Sequence, residues 1–410
     1  MSRLALSTLG LAGVVLVAFV ACADTEPGDA APPRDDADGG GLPPPSDGGD
    51  AGDAPDDDDD VDAAPRECSK EGFCHTKVPP KQTLRGVWSD GAGATWAVSA
   101  EGAILRYDGK SWSVHTTELG ELFSIWGSGP TDVWVGGDGV LFHGQGETAA
   151  TLTFTSMKLP GPPTPMTSIW GTGADDVWAA GGVNGFPLLG RLLHFTGAPG
   201  KDDAGPEWSL EDFSRDSIWL TRVFGSKASG VWAAGVVQER VGWFLRRRVV
   251  VLRRSVGSAD FVEVDLPRDP AFPDETTGNL ERLFDASASA DGLSMWVLGK
   301  TEGSLPAYLK GTSSDGGQTF SWTFGATGGS GGGGDPALNA IGAVSANEAY
   351  IVGDYGRLRR WNGQSWKQSV VSITKYPLTT PLYALGGHGS DLWFVGEGVA
   401  LHRDPSKVQP

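Results

Sequence analysis

Beyond residue 66 the chain is a succession of short apolar runs, rich in Val, Ile, Leu and Trp and separated by Gly, Asp and Asn. No stretch keeps the three-to-four spacing of an amphipathic helix, so the runs predict β-strands. One run is written twice: SIWGSGPTDVWVGG spans Ser124–Gly137, and SIWGTGADDVWAAGG spans Ser168–Gly182. The pattern reduces to an apolar residue, Ile/Val-Trp, a Gly-rich turn and Val-Trp-x-x-Gly. It recurs at Leu84–Trp96, Leu122–Trp134, Met166–Trp178, Leu220–Trp232, Leu280–Trp296, Leu338–Tyr350 and Leu382–Trp393, seven copies in all. The interval from the first apolar residue to the second aromatic is twelve in five copies, sixteen in the fifth and eleven in the seventh. A further apolar strand follows (AILRYDG from Ala103, LLHFTG from Leu192, RLRRWNG from Arg357), then a turn and another aromatic run. Each unit therefore predicts four short strands. Aromatic and β-branched residues suit their pleated, half-buried surfaces.

Seven repeats of four strands describe an all-β fold, a seven-bladed β-propeller. Residues 67–410 supply about 49 residues per blade, near the usual length. Thirteen of the sixteen Trp fall at repeated positions: three on first strands, six on second and four on fourth. Broad rings at such positions read as packing between neighbouring sheets rather than as a sugar-stacking platform. The last copy stops after its third strand, which would leave a sheet edge open. Gly72–Val78 precedes Leu84 by about the spacing with which SWSVHTT precedes Leu122, so this N-terminal strand is predicted to close the ring.

The segment SSDGGQTF, Ser313–Phe320, matches the S-x-D-x-G-x-T-W/F pattern of the Asp-box, or BNR repeat, and YDGKSW and NGQSW look like worn forms of it. Over roughly Phe73–Arg403 the chain resembles the Asp-box-type seven-bladed propeller lipoproteins that Gram-negative bacteria export. In that family the Asp-box is a structural hairpin distant from any active site, which implies that Asp315 is not catalytic.

The N-terminus changes where the domain is expected to work. Residues 1–22 read as a signal peptide: Arg3 precedes the apolar run Leu4–Val20, which is short for a membrane span of about 20 residues. Phe19-Val20-Ala21-Cys22 resembles a lipobox, with Phe19 in place of the usual Leu. Cys22 would then carry a lipid anchor in the membrane. Cleavage after Ala23 would instead release a soluble secreted or periplasmic protein. Residues 23–66 hold fifteen Asp/Glu and two Arg among Gly, Pro and Ala, and too little apolar surface to offset ordering entropy. They read as a disordered acidic linker spanning roughly 35–40 Å. DDADGG at Asp35 lacks the distal Glu of a calcium loop. Most of the formal charge of -19 sits in this linker, and no basic footprint for nucleic acid appears. Cys68 and Cys74, in an oxidising compartment, are expected to form a disulfide.

Motifs for a nucleophile elbow, a phosphate loop or a zinc site are absent from the sequence. No metal or other cofactor is implied, and the chain reads as a monomer. Each third strand carries a basic residue at one place: Arg106, His143, His194, Arg253, Lys310, Arg359 and His402. Equivalent positions round a ring cannot converge on a metal. Asp132, Asp176, Glu348 and Asp391 stand two residues before second-strand aromatics. Antiparallel pairing predicts Asp132–His143, Asp176–His194 and Asp391–His402 as structural cross-strand pairs. Long connections cluster in blades three to six, at Gly182–Arg191, Val237–Arg247, Leu266–Asn279, Lys300–Ala307 and Ala326–Pro336. They should open on one face. Phe186, Arg240, Trp243, Arg246, Arg247, Arg248 and Phe272 are the candidate contacts there. The reading is an exported binding or scaffold module of the cell envelope for a polysaccharide or an envelope protein. The alternative is a glycan-active, sialidase-like hydrolase, which would need paired carboxylates on the propeller face.

Overall fold

The computed structural model describes residues 67–199, 206–213, 217–271, 278–302, 306–328, 337–372 and 376–409. Cys22, the linker and Phe272 lie outside them. Seven four-stranded antiparallel sheets follow one another along the chain. Leu84–Thr116 forms blade one, Leu122–Met157 blade two, Met166–Leu210 blade three, Ile218–Glu263 blade four, Leu280–Ala326 blade five and Leu338–Ser369 blade six. Blade seven takes three strands from Leu382–Arg403 and its fourth from Phe73–Thr76, so the N-terminal strand closes a seven-bladed propeller.

The closing strand sets Phe73 opposite Arg403, Cys74 opposite His402 and Thr76 opposite Ala400. Thr76 Oγ1 donates to the Ala400 carbonyl at 2.9 Å and accepts from Trp112 Nε1 of blade one at 2.9 Å, which ties the two ends of the ring together. Phe73 is 1% exposed, edge-on to Phe394 at 5.4 Å. A disulfide joins Cys68 to Cys74 at the entry to this strand.

The core is divided into seven apolar slabs, each between two neighbouring sheets. The second-strand aromatic of one blade anchors each slab: Trp96, Trp134, Trp178, Trp232, Trp296, Tyr350 and, between blades seven and one, Trp393. None is more than 2% exposed. The repeated Ile-Trp-Gly has a packing reason. A Cβ on Gly127 would lie 2.7 Å from the Trp88 ring, and one on Gly171 would lie 2.8 Å from the Trp126 ring. Each first-strand indole thus lies against the glycine of the next blade, where no larger residue fits.

One connection differs from its sequence reading. Val237–Arg247 is not a loop but the outer half of a long hairpin between Gly230–Val241 and Phe244–Arg254, paired without a break from Val231↔Arg254 to Val241↔Phe244. Gly242, at φ +61°, opens a two-residue turn with Trp243, and such a turn propagates the ladder to its tip. Similarly, strands run to Val183 and from Leu189, leaving a short turn around Phe186.

Candidate functional site

In six blades the third-strand basic residue stands opposite the buried second-strand aromatic in the ladder. Trp96 faces Arg106, Trp134 His143, Trp178 His194, Trp232 Arg253, Trp296 Lys310 and Trp393 His402. In blade six Tyr350 faces Arg360, not Arg359. One residue of offset puts Arg359 on the other side of the sheet, where its guanidinium donates to the carbonyls of Thr327 and Gly328 at 2.5 and 2.7 Å. The imidazoles of His143, His194 and His402 stack on their indoles at 3.6, 3.7 and 4.5 Å. Their Nε2 atoms lie 2.5, 2.8 and 2.7 Å from Asp132, Asp176 and Asp391. A hydroxyl completes each unit: Ser128 donates to Asp132, Thr172 to Asp176 at 2.5 Å, and Ser89 of blade one to Asp391 of blade seven. Sequence reading missed these hydroxyls, although Ser128 and Thr172 both stand four residues before their Asp. The three units are spread round the ring. Among the described residues no group of His, Cys, Asp or Glu could hold a metal ion.

The hydrogen bond from His194 holds the Asp176 carboxyl at about 2, against the opposing effect of burial. For Asp132 and Asp391 burial raises the carboxyl pKa, but the bonds from His143 with Ser128, and from His402 with Ser89, outweigh it and leave both below the ordinary value. A carboxyl depressed by folding stabilises the fold above its unfolded pKa and loses that contribution as pH falls towards its folded pKa. Asp176→Asn is therefore expected to flatten the melting temperature's fall between pH 3.8 and about 2. A wild-type slope retained in the variant would count against this origin of acid sensitivity.

In the Ser313–Phe320 turn the Asp315 carboxylate accepts from Ser313 Oγ at 2.7 Å, Gln318 N at 3.0 Å and Thr319 Oγ1 at 2.6 Å. The Thr319 hydroxyl, followed by the backbone amides, holds its carboxyl well below the usual range. Arg253 of blade four donates to the carbonyls of Gln318 and Gly317, so this turn fastens blade five to its neighbour.

The hairpin of blade four carries the most exposed aromatic among the described residues. Trp243 is 94% and Phe244 68% exposed, and Phe186 of blade three is 81% exposed. Arg246 pairs with Glu302, and Arg248 pairs with Glu239 at 2.7 Å and Glu263 at 2.6 Å. Two of the three consecutive arginines are thus held by the protein's own carboxylates. Arg247 and Arg240 have no carboxylate partner among the described residues. Alongside the hairpin a groove of about 830 Å³ is lined by Trp219, Phe244, Leu245, Arg247, Arg282 and Lys300.

A second space, of about 750 Å³, is lined by the first strands of all seven blades. A belt of hydrogen bonds crosses from blade to blade around it. Ser124 Oγ donates to the Met166 carbonyl at 3.0 Å, Ser168 Oγ accepts from Val223 N at 3.1 Å, and Asp285 accepts from Ile341 N at 2.8 Å. Arg222 donates to Asp285, to the Thr221 carbonyl at 2.9 Å and to those of Thr167 and Phe284 at 3.4 and 3.5 Å. The two carboxylates lining this channel, Asp285 and Asp291, are both engaged, the latter by Ser289 Oγ at 2.5 Å and Leu293 N at 3.0 Å.

No protein-family model matches the chain, and no curated protein matches it. Solved structures do. YCF48 bound to D1 peptide is similar at 15% identity and TM-score 0.52, over 84% of this chain and 98% of that one. The extracellular domain of a putative hybrid two component system from B. thetaiotaomicron is similar at 13% identity and TM-score 0.54, over 81% of this chain and 39% of that one. The WD40 β-propeller domain of Doa1 is similar at 12% identity and TM-score 0.51, over 81% and 96%. At such identities the likeness defines the fold class, the β-propeller. No helix among the described residues is long and apolar enough to cross a membrane.

Proposed function

We propose that this chain is an exported binding module. Residues 1–22 direct export and end in a lipidated Cys22, residues 23–66 form the tether, and residues 67–410 form the ligand-binding propeller of a cell-envelope lipoprotein. Its partner is a polysaccharide or an envelope protein. The observation that carries the reading is the apolar tip of the blade-four hairpin, where Trp243 is 94% exposed beside Phe244, and where Arg240 has no carboxylate partner among the described residues. Exposed aromatics of this kind, set on a rigid scaffold with arginine, mark interaction surfaces. Two solved neighbours fit it: one is described with a bound peptide and another as an extracellular domain. The hydrolase alternative has less support, because both channel carboxylates are occupied by the protein's own donors.

Replacing Trp243 and Arg240 together by alanine is expected to weaken capture of the envelope partner by about tenfold or more. The melting temperature should stay within a degree or two, since neither side chain is packed. Affinity capture from the native envelope, with both forms immobilised, measures this. Equal capture by the double variant would remove the hairpin tip from the binding surface.

A further inference from the structure

In every innermost strand the pairing with strand two skips one residue at the same place. The skipped residues are Arg85, Phe123, Thr167, Thr221, Phe284, Asn339 and Tyr383, with a further skip at Glu281 in the longer strand of blade five. These are β-bulges, which take a residue out of the ladder and re-aim its side chain. Strand one begins where strand two ends, so the bulges ring the channel mouth on the face that carries the blade-four hairpin. The apolar residues before the bulges repeat from blade to blade, and in six of the seven a glycine stands across from them. The seven bulge residues do not: they include an arginine, three aromatics, an asparagine and two threonines.

Part of this ring is stitched together. Arg222 holds the carbonyls of Thr221, Thr167 and Phe284. The Thr167 hydroxyl donates to the Thr221 carbonyl at 3.0 Å, and Asn339 Nδ2 donates to the Leu382 carbonyl at 2.9 Å. The arc of blades seven, one and two is different. Arg85 lies over the Tyr383 ring at 4.3 Å and has no carboxylate partner among the described residues. Phe123 follows in the next blade, and all three line the 750 Å³ channel together with the hydroxyl-bearing Ser124, Thr167 and Ser168.

A half-buried guanidinium stacked on one aromatic, with a second aromatic of the next blade lining the same channel, is suited to a carboxylate borne on a sugar ring. The guanidinium fork matches a carboxylate in two parallel hydrogen bonds. The cavity is of the size that small-ligand sites have. We propose that the arc Tyr383–Arg85–Phe123 binds a uronate residue of an acidic polysaccharide at the channel mouth. This rests on the binding-module reading and names the partner's chemistry, at a place distinct from the hairpin tip.

Calorimetric titration of the whole exported domain tests it, with oligomers of galacturonate, glucuronate and mannuronate, a neutral maltotriose control, and a peptide with a free terminal carboxylate. At least one oligouronate should bind while maltotriose and the peptide do not. Arg85→Gln should weaken that binding about ten- to a hundredfold, the loss expected for one charged hydrogen-bonding group. Arg85→Lys should fall between, and the Trp243→Ala/Arg240→Ala variant should bind as the wild type does. Protection of Arg85 in the wild type from phenylglyoxal by the bound oligomer gives a reading that needs no variant to fold. The proposal is overturned if no oligouronate binds, if the peptide binds in preference, or if Arg85→Gln binds unchanged. Oligouronate binding lost only in the hairpin variant would overturn it while leaving the binding-module reading in place.

Discussion

Deletion of residues 67–78 is expected to leave the ring open and to drive the domain into oligomers and aggregates. The deletion removes all four ladder pairs between Phe73–Thr76 and Ala400–Arg403, and so exposes the third strand of blade seven as a free edge. Unprotected edges pair with other chains. It also removes Phe73 from its edge-on contact with Phe394 and leaves Trp112 Nε1 without Thr76. The single change Phe73→Ala isolates the packing part and should cost about 3–5 kcal/mol. Urea denaturation followed by tryptophan fluorescence reads the point variant, and light scattering after size exclusion reads the deletion. A deletion variant that stays monomeric with the wild-type denaturation midpoint would mean that six complete blades and a three-stranded seventh suffice.

Arg222→Met should be nearly as damaging, at about 3–5 kcal/mol. Asp285 is 9% exposed, and Arg222 is its counter-charge. Removing one member of a buried pair leaves the other as an uncompensated charge. The substitution also frees the carbonyls of Thr221, Thr167 and Phe284 that the guanidinium gathers from three blades. Adding Asp285→Asn should recover part of the loss, because the stranded charge goes while the bond from Ile341 N can remain. Equilibrium denaturation of the single and double variants measures both effects. A loss below about 1 kcal/mol for Arg222→Met would place the pair among surface ion pairs rather than in the ring's inner belt.

The fold was legible because each blade writes the same local pattern. Short apolar runs mark the strands, the Gly-rich turns divide them, and the aromatic at a fixed place in each copy marks the face that packs on a neighbour. The closing strand was legible from spacing alone, since Gly72–Val78 stands before Leu84 as another fourth strand stands before Leu122. Harder was the register. Arg359 and Arg360 are adjacent and alike in charge, and only the observed pairing assigns Arg360 to Tyr350. The stretch Val237–Arg247 is polar enough to read as a loop. Its cross-strand pairs, Gln238 with Arg247 and Glu239 with Arg246, make it a hairpin instead.

By itself, then, the sequence determined the strand content, the count of seven and the identity of the closing segment, because those depend on contacts within a repeat or on its period. Only the tertiary structure decided which side chains meet across blades. Arg222 and Asp285 are 63 residues apart, and Ser89 and Asp391 are 302 apart. Nothing local marks either pair. The same holds for the channel mouth: a bulge is set by how two strands settle against each other and against the next blade. Arg85, Phe123 and Tyr383 are therefore unremarkable letters in the repeat until the ring brings them to one channel.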